Sequence, residues 1–169
     1  MALIQPYIDY CSVSWYSGLN ARLKVRFDAL QRKLIRFVFN LDSRSTIDSS
    51  HFSRIGWLCI SDRVRYFKIL HGYKIFRGMA PDYISGSFSN FSTIHSHNTR
   101  GSQTNFIVTK EDTSNSLMLS SFVYTVKREW NSLPSGLKNV TSHHFQNQIT
   151  ELSSQKVLIS RNLLRLQYF

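Results

Sequence analysis

Cysteine is nearly absent from this 169-residue chain, with Cys11 and Cys59 the only two. That excludes a disulfide-stapled scaffold, and no N-terminal stretch has the basic, apolar and small-residue regions of a secretory signal. Long apolar runs are missing too: Arg36 interrupts Leu34-Ile35-Arg36-Phe37-Val38-Phe39, so no segment reaches bilayer length. The chain also has no phosphate-cradling Gly-rich loop, no paired-carboxylate metal motif, no nucleophile elbow and no zinc-ligand pair of cysteines. These absences predict a soluble protein of a reducing, intracellular compartment (nuclear or cytoplasmic), with no membrane partner. They also predict no cofactor, no metal and no catalytic residue.

What is present favours a folded, basic molecule. Hydrophobic residues make up 42% and aromatics 14% of the chain, enough apolar surface to offset the entropy of ordering a core. Lys and Arg number 21 against ten Asp and Glu, a net charge of +11 with a pI near 10.0, and such a balance suits a polyanionic partner. The charge is uneven. Residues 21–77 hold thirteen basic and four acidic side chains, a net +9, while the longer remainder is close to neutral. A polyanion site therefore belongs to the first half, and the Ser-, Asn- and Gly-rich stretch 85–102 reads as a linker. The implied organisation is a basic helical subdomain over 1–84, the linker 85–102, a small strand-plus-helix subdomain over 103–155 and a tail over 156–169.

Residues 3–15 read as a short buried helix ending before Gly18, with Pro6 in its first turn. Asn20 is a candidate N-cap for a long helix over 21–40, in which Leu23, Phe27, Leu30, Leu34, Phe37, Val38 and Leu41 form one apolar stripe. On the same wheel Arg22, Arg26, Lys33 and Arg36 fall within about 80° of one another, roughly 100° from the middle of that stripe. A like-charged ridge repels itself at helical spacing, so stability alone does not select it. It is either a solvated face or a surface that tracks phosphates.

A short helix follows over 47–56, then a buried connector over 57–60, and a central helix over 61–77 stopped by Gly78 and Pro81. His71 lies on the apolar face of that helix and is simplest as a hydrogen-bonded core histidine. Residues 102–109 are β-branched and partly alternating, which predicts a strand, with 116–121 returning as its partner across a solvated turn at Glu111-Asp112. Helices are expected over 122–133 and 142–152, and the apolar tail over 157–169 has no clear place. The fold class is thus mainly α, a helical bundle with a small β-hairpin in the C-terminal half. His95 with His97, and His143 with His144, lack matched ligands for a metal. Asn90-Phe91-Ser92 and Asn139-Val140-Thr141 match the glycosylation pattern by chance in an intracellular chain.

Several blocks, in one order, resemble a single family. Leu3-Ile4-Gln5-Pro6-Tyr7-Ile8-Asp9-Tyr10-Cys11-Ser12-Val13-Ser14-Trp15 is similar to the segment after the polymerase palm in reverse transcriptases of non-LTR (LINE-type, jockey-like) retrotransposons. Leu30-Gln31-Arg32-Lys33-Leu34-Ile35-Arg36 resembles that family's basic helix. Leu70-His71-Gly72-Tyr73-Lys74 with Gly78-Met79-Ala80-Pro81-Asp82-Tyr83-Ile84 resembles its "K(I/V)xxGxAPxYL" block. His95-Ser96-His97-Asn98-Thr99-Arg100 resembles its "HxxR" turn, and Trp130-Asn131-Ser132-Leu133-Pro134 its "WNxLP" signature. The resemblance runs from residue 3 to about residue 152.

One departure matters. The family's polymerases carry an Asp-Asp pair that holds two divalent metals, and this chain has no Asp-Asp pair. The resemblance therefore implies not an enzyme but a noncatalytic C-terminal, thumb-like fragment of an RNA-directed DNA polymerase, starting at Met1 about where that region begins. It would hold an RNA or DNA duplex, sequence-tolerantly, through Arg22, Arg26, Lys33 and Arg36, with Lys24 and Arg32 as outer contacts. The alternatives are a helical module that packs on a palm domain, a protein partner or itself, and a non-functional retroelement remnant. An unrecognised enzyme would need His71, His95 or His97 assembled beside Asp82.

Overall fold

Side-chain caps start four of the described helices. The computed structural model describes residues 4–89, 104–140, 145 and 147–149. α1 (Gln5–Asp9) carries Pro6 in its first turn. It breaks at Cys11, whose φ of 49° is left-handed, and α2 (Ser12–Trp15) and a single turn of 3₁₀ helix, Tyr16–Gly18, follow. The expected single buried helix over 3–15 is therefore two short ones. Ser12, Val13 and Tyr16 face inward, while Tyr7 and Tyr10 stand in solvent.

α3 (Ala21–Val38) is capped by Asn20, whose Oδ1 accepts from the Leu23 N–H at 2.9 Å, as the sequence predicts. α4 (Ser49–Arg54) is opened by Asp48, which accepts from the Ser50 and His51 backbone N–H groups. Those bonds, with the Ser50 hydroxyl first among them, hold the Asp48 carboxyl well below the usual carboxylate range. α5 (Ile60–Phe76) stops at Gly78, whose φ of +68° costs a residue without Cβ little. α6 (Asp82–Ser85), α7 (Ser116–Ser120), α8 (Phe122–Asn131) and α9 (Ser135–Lys138) complete the described helices.

The chain divides into two compact units, Met1–Gly18 with Val64–Gln146, and Leu19–Arg63 with Asn147–Phe169, so that α5 contributes to both. The first unit is built around Trp130, which is 0% exposed. Its ring lies 5.3 Å from Phe76, 5.9 Å from Phe106 and 6.0 Å from Phe145. Gly72 lets α5 pass close to it: a Cβ there would lie 3.2 Å from both Cβ and Cε3 of Trp130. The second unit buries Ile35, Phe52, Ile60 and Ile149.

The expected β-hairpin is not there: the described residues contain no strand. Phe106 forms only an isolated bridge and Ile107 N–H donates to Ser89 O at 2.8 Å, and beside these the side-chain amide of Asn131 answers the backbone of Phe106. Its Oδ1 accepts from Phe106 N–H at 2.9 Å and its Nδ2 donates to Phe106 O at 2.8 Å, while Trp130 Nε1 donates to Thr104 O at 2.8 Å. A side-chain amide with one donor and one acceptor answers a single residue's backbone as a ladder would. The segment read as the return strand is α7, nucleated by Asn115, whose Oδ1 accepts from Met118 N–H at 2.9 Å. Asp112 is likewise not a solvated turn residue: it pairs with buried Lys127 at 2.8 Å. The linker and HxxR residues 90–102, His143 and His144, the tail over 156–169 and most of the expected helix over 142–152 lie outside the described residues.

Candidate nucleic-acid interface

The geometry of the basic ridge follows from how α3 is seated. Its two buried residues are Gln31 and Ile35. Gln31 is the polar anchor: Nε2 donates to Leu58 O at 2.8 Å, and Oε1 accepts from Ile60 N–H at 3.1 Å. Both bonds run to the connector and the first residue of α5, and they fix the rotation of α3 about its axis. At 100° per residue the Gln31/Ile35 line lies about 90° from the middle of the apolar stripe seen in sequence. The stripe is accordingly half covered. Phe27, Leu34 and Leu41 are half-buried, whereas Leu23 (37% exposed), Leu30 (44%) and Phe37 (86%) form an open row.

This rotation places Arg22, Arg26 and Lys33 within about 20° of the direction opposite the buried line. All three are exposed and make no hydrogen bond or ion pair among the described residues. Arg36, expected with them, is half-buried, and its Nε donates to Ser45 O at 3.0 Å, tying α3 to the loop that follows. It serves the fold with at least one of its donors. Lys24 is half-buried on the inward side, and Arg32 is exposed on the flank of α3. Burial raises the carboxyl of Asp28 above its ordinary value, and the charge of Arg32, one turn away, opposes that rise. The structure therefore brings together three of the six expected residues as one open row, with Arg32 beside it.

Sequence reading missed the inward role of Gln31, and with it the open row Leu23, Leu30 and Phe37 that lies directly alongside Arg26 and Lys33. A seven-residue spacing was the available signal, since it puts all three on one line of the helix. No group of His, Cys, Asp and Glu among the described residues is arranged to hold a metal ion. No helix among them is long and apolar enough to cross a membrane. No family model, curated protein or solved structure matches the chain.

Proposed function

We propose that this chain is the noncatalytic, thumb-like C-terminal region of a non-LTR retrotransposon reverse transcriptase, and that α3 grips the sugar-phosphate backbone of nucleic acid. The observation that carries the reading is the row Arg22, Arg26 and Lys33, exposed, without internal partners among the described residues, and turned away from the buried line of its own helix. Arginine forks pair with phosphate oxygens bidentately and read no bases, so binding is sequence-tolerant. Three phosphate contacts give a log–log salt slope of about −3 on duplex DNA, rising toward −4 if Arg32 joins. The test is the affinity for a duplex of arbitrary sequence across a salt series. A slope near zero, or unchanged binding in the R22A/R26A/K33A variant, sinks the reading.

A second reading has its own support. Leu23, Leu30 and Phe37, together with Tyr7 and Tyr10, are large apolar side chains left in solvent, as expected of a module that packs on a palm domain or on itself. Light scattering that finds concentration-dependent oligomers, lost in Phe37→Asp, with no nucleic-acid binding at moderate salt, selects this alternative.

A further inference from the structure

The first unit contains a cavity of about 630 Å³, bounded by the ends of α1 and α2, the middle of α5, α6 and the start of α8. Its size is that of a small-molecule site. Four aromatic rings, Phe67, Tyr83, Phe88 and Phe122, supply much of the wall, and aliphatic side chains fill between them. Flat, apolar ligands suit such walls.

The cavity's electrostatics run against those of the rest of the molecule. The chain carries 21 Lys and Arg, and none of them is among the described residues that line it, where the charged side chain is Asp9. An anion would find no Lys or Arg among the described lining residues of a mostly apolar wall, so anions are disfavoured. Ser14, Ser87 and the Tyr83 hydroxyl also belong to the lining, but His71 is the polar group whose hydrogen-bonding role the geometry fixes. His71 Nδ1 lies 2.8 Å from Phe67 O, and since a carbonyl only accepts, Nδ1 carries the proton. In the neutral ring Nε2 is then an acceptor, and the His71 ring makes no other hydrogen bond among the described residues. Its edge-on packing against Phe122, at 5.8 Å and 88°, holds the imidazole in place.

We infer that this cavity binds a neutral, ring-bearing small molecule with a single N–H or O–H donor, an aryl amine or a phenol, anchored on His71 Nε2 between the aromatic walls. The site is separate from the α3 row and does not depend on the nucleic-acid reading. Cys11, exposed and at the cavity wall, is a built-in reporter of occupancy.

The probe is N-phenyl-1-naphthylamine, a neutral aryl amine, added to the full chain and followed by its fluorescence. Saturable one-site binding is expected, weakened about five- to tenfold in His71→Phe, which keeps an aromatic ring but loses the acceptor, as for one hydrogen bond. Ile84→Trp, which fills the cavity, should abolish binding. In the wild type, saturating probe should slow alkylation of Cys11 by N-ethylmaleimide at least fivefold while leaving Cys59 unaffected, each thiol being read by peptide mass. The anionic analogue 1-anilinonaphthalene-8-sulfonate should give no such protection. An unchanged Cys11 rate at saturating probe overturns the inference even if both variants fail to fold. So does equal affinity in His71→Phe, or equal protection by the sulfonate.

Discussion

In the first unit three lysines are enclosed, while Lys74 and Lys110 are exposed, and along α3 of the second Arg22, Arg26 and Lys33 stand in water. Lys127 is 3% exposed and bonded to Asp112, Lys138 is 2% exposed and bonded to Asn105, and buried Lys68 donates to Ser17. Arg65 pairs with Glu129 at 2.8 Å, joining α5 to α8. In contrast Arg22, Arg26 and Lys33 have no internal partner among the described residues. Composition cannot separate these uses, because a net charge counts an enclosed ammonium and an open guanidinium alike. Part of the +11 is spent on architecture, and the part left for a polyanion is smaller and more localised than the total suggests.

The sharpest way to break this contrast is to remove a partner of an enclosed cation. Asp112→Ala leaves the Lys127 ammonium buried without its carboxylate and should cost about 3 kcal/mol in denaturant unfolding. The double variant with Lys127→Met should recover much of that loss. Burial pushes the Asp112 carboxyl up, but hydrogen bonds from Lys127 and the Thr109 N–H outweigh it and bring it below its ordinary value of 3.8. The carboxylate form is therefore favoured by folding. Its contribution is complete above pH 3.8 and is lost as pH falls through the lowered folded value. Asp112→Ala should lack this acid limb.

A smaller effect is expected at the core contact between α5 and α8. Gly72→Ala places a Cβ 3.2 Å from Trp130, inside ordinary contact distance, and should cost about 1–3 kcal/mol through displacement of the indole. Near-ultraviolet circular dichroism of the Trp130 environment should change with it. Gly78→Ala, by comparison, meets no steric neighbour and bears only the cost of a left-handed φ.

Lys138 sharpens the comparison from the other side. Burial pushes its ammonium below the ordinary 10.5, so the charged form is disfavoured by folding. Between the folded value and 10.5 the unfolded chain binds more protons, and stability gained from this group rises with pH across that window. Lys138→Met should flatten the alkaline rise while changing neutral-pH stability by about 1 kcal/mol or less, because losing the Asn105 bond and the ammonium contact 5.8 Å from the Trp130 ring is offset by no longer burying a charge.

Helix starts were legible at α3 and α4, where the deciding contact is local. Asn20 and the boundary of α3, and the short helix around α4, follow from residues within a few positions of each other. Asn115 followed by Ser116, Leu117 and Met118 carried the same signal for α7, but the β-branched run before it suggested a hairpin instead. What failed depends on partners far along the chain. Asn131 bonds the backbone of Phe106, 25 residues away, Lys127 finds Asp112 at 15, and Gln31 reaches Leu58 at 27. Periodicity ranks residues by their own polarity, so it turned Gln31 outward and the Leu30 and Phe37 row inward. The true rotation of α3 was readable only once the amide's two bonds were seen. The same blindness applies to the cavity, whose walls come from segments spread between Asp9 and Val123.

The least stability change of all is expected at the row itself, and that smallness is the point. Arg22 and Arg26 are one turn apart, and Arg26 and Lys33 lie two turns apart on the same face, so their mutual repulsion is a standing cost of a few tenths of a kcal/mol. No internal contact among the described residues is lost on truncation. R22A/R26A/K33A should therefore unfold within about 0.5 kcal/mol of the wild type, or slightly later, and the small gain should vanish at high salt, where screening removes the repulsion. Arg36→Ala is the internal contrast: it surrenders the bond to Ser45 O and should destabilise by about 1 kcal/mol, with little salt dependence. If the triple variant instead proved markedly unstable, those three cations would belong to the architecture as the enclosed lysines do, and the division of labour between the two units would collapse.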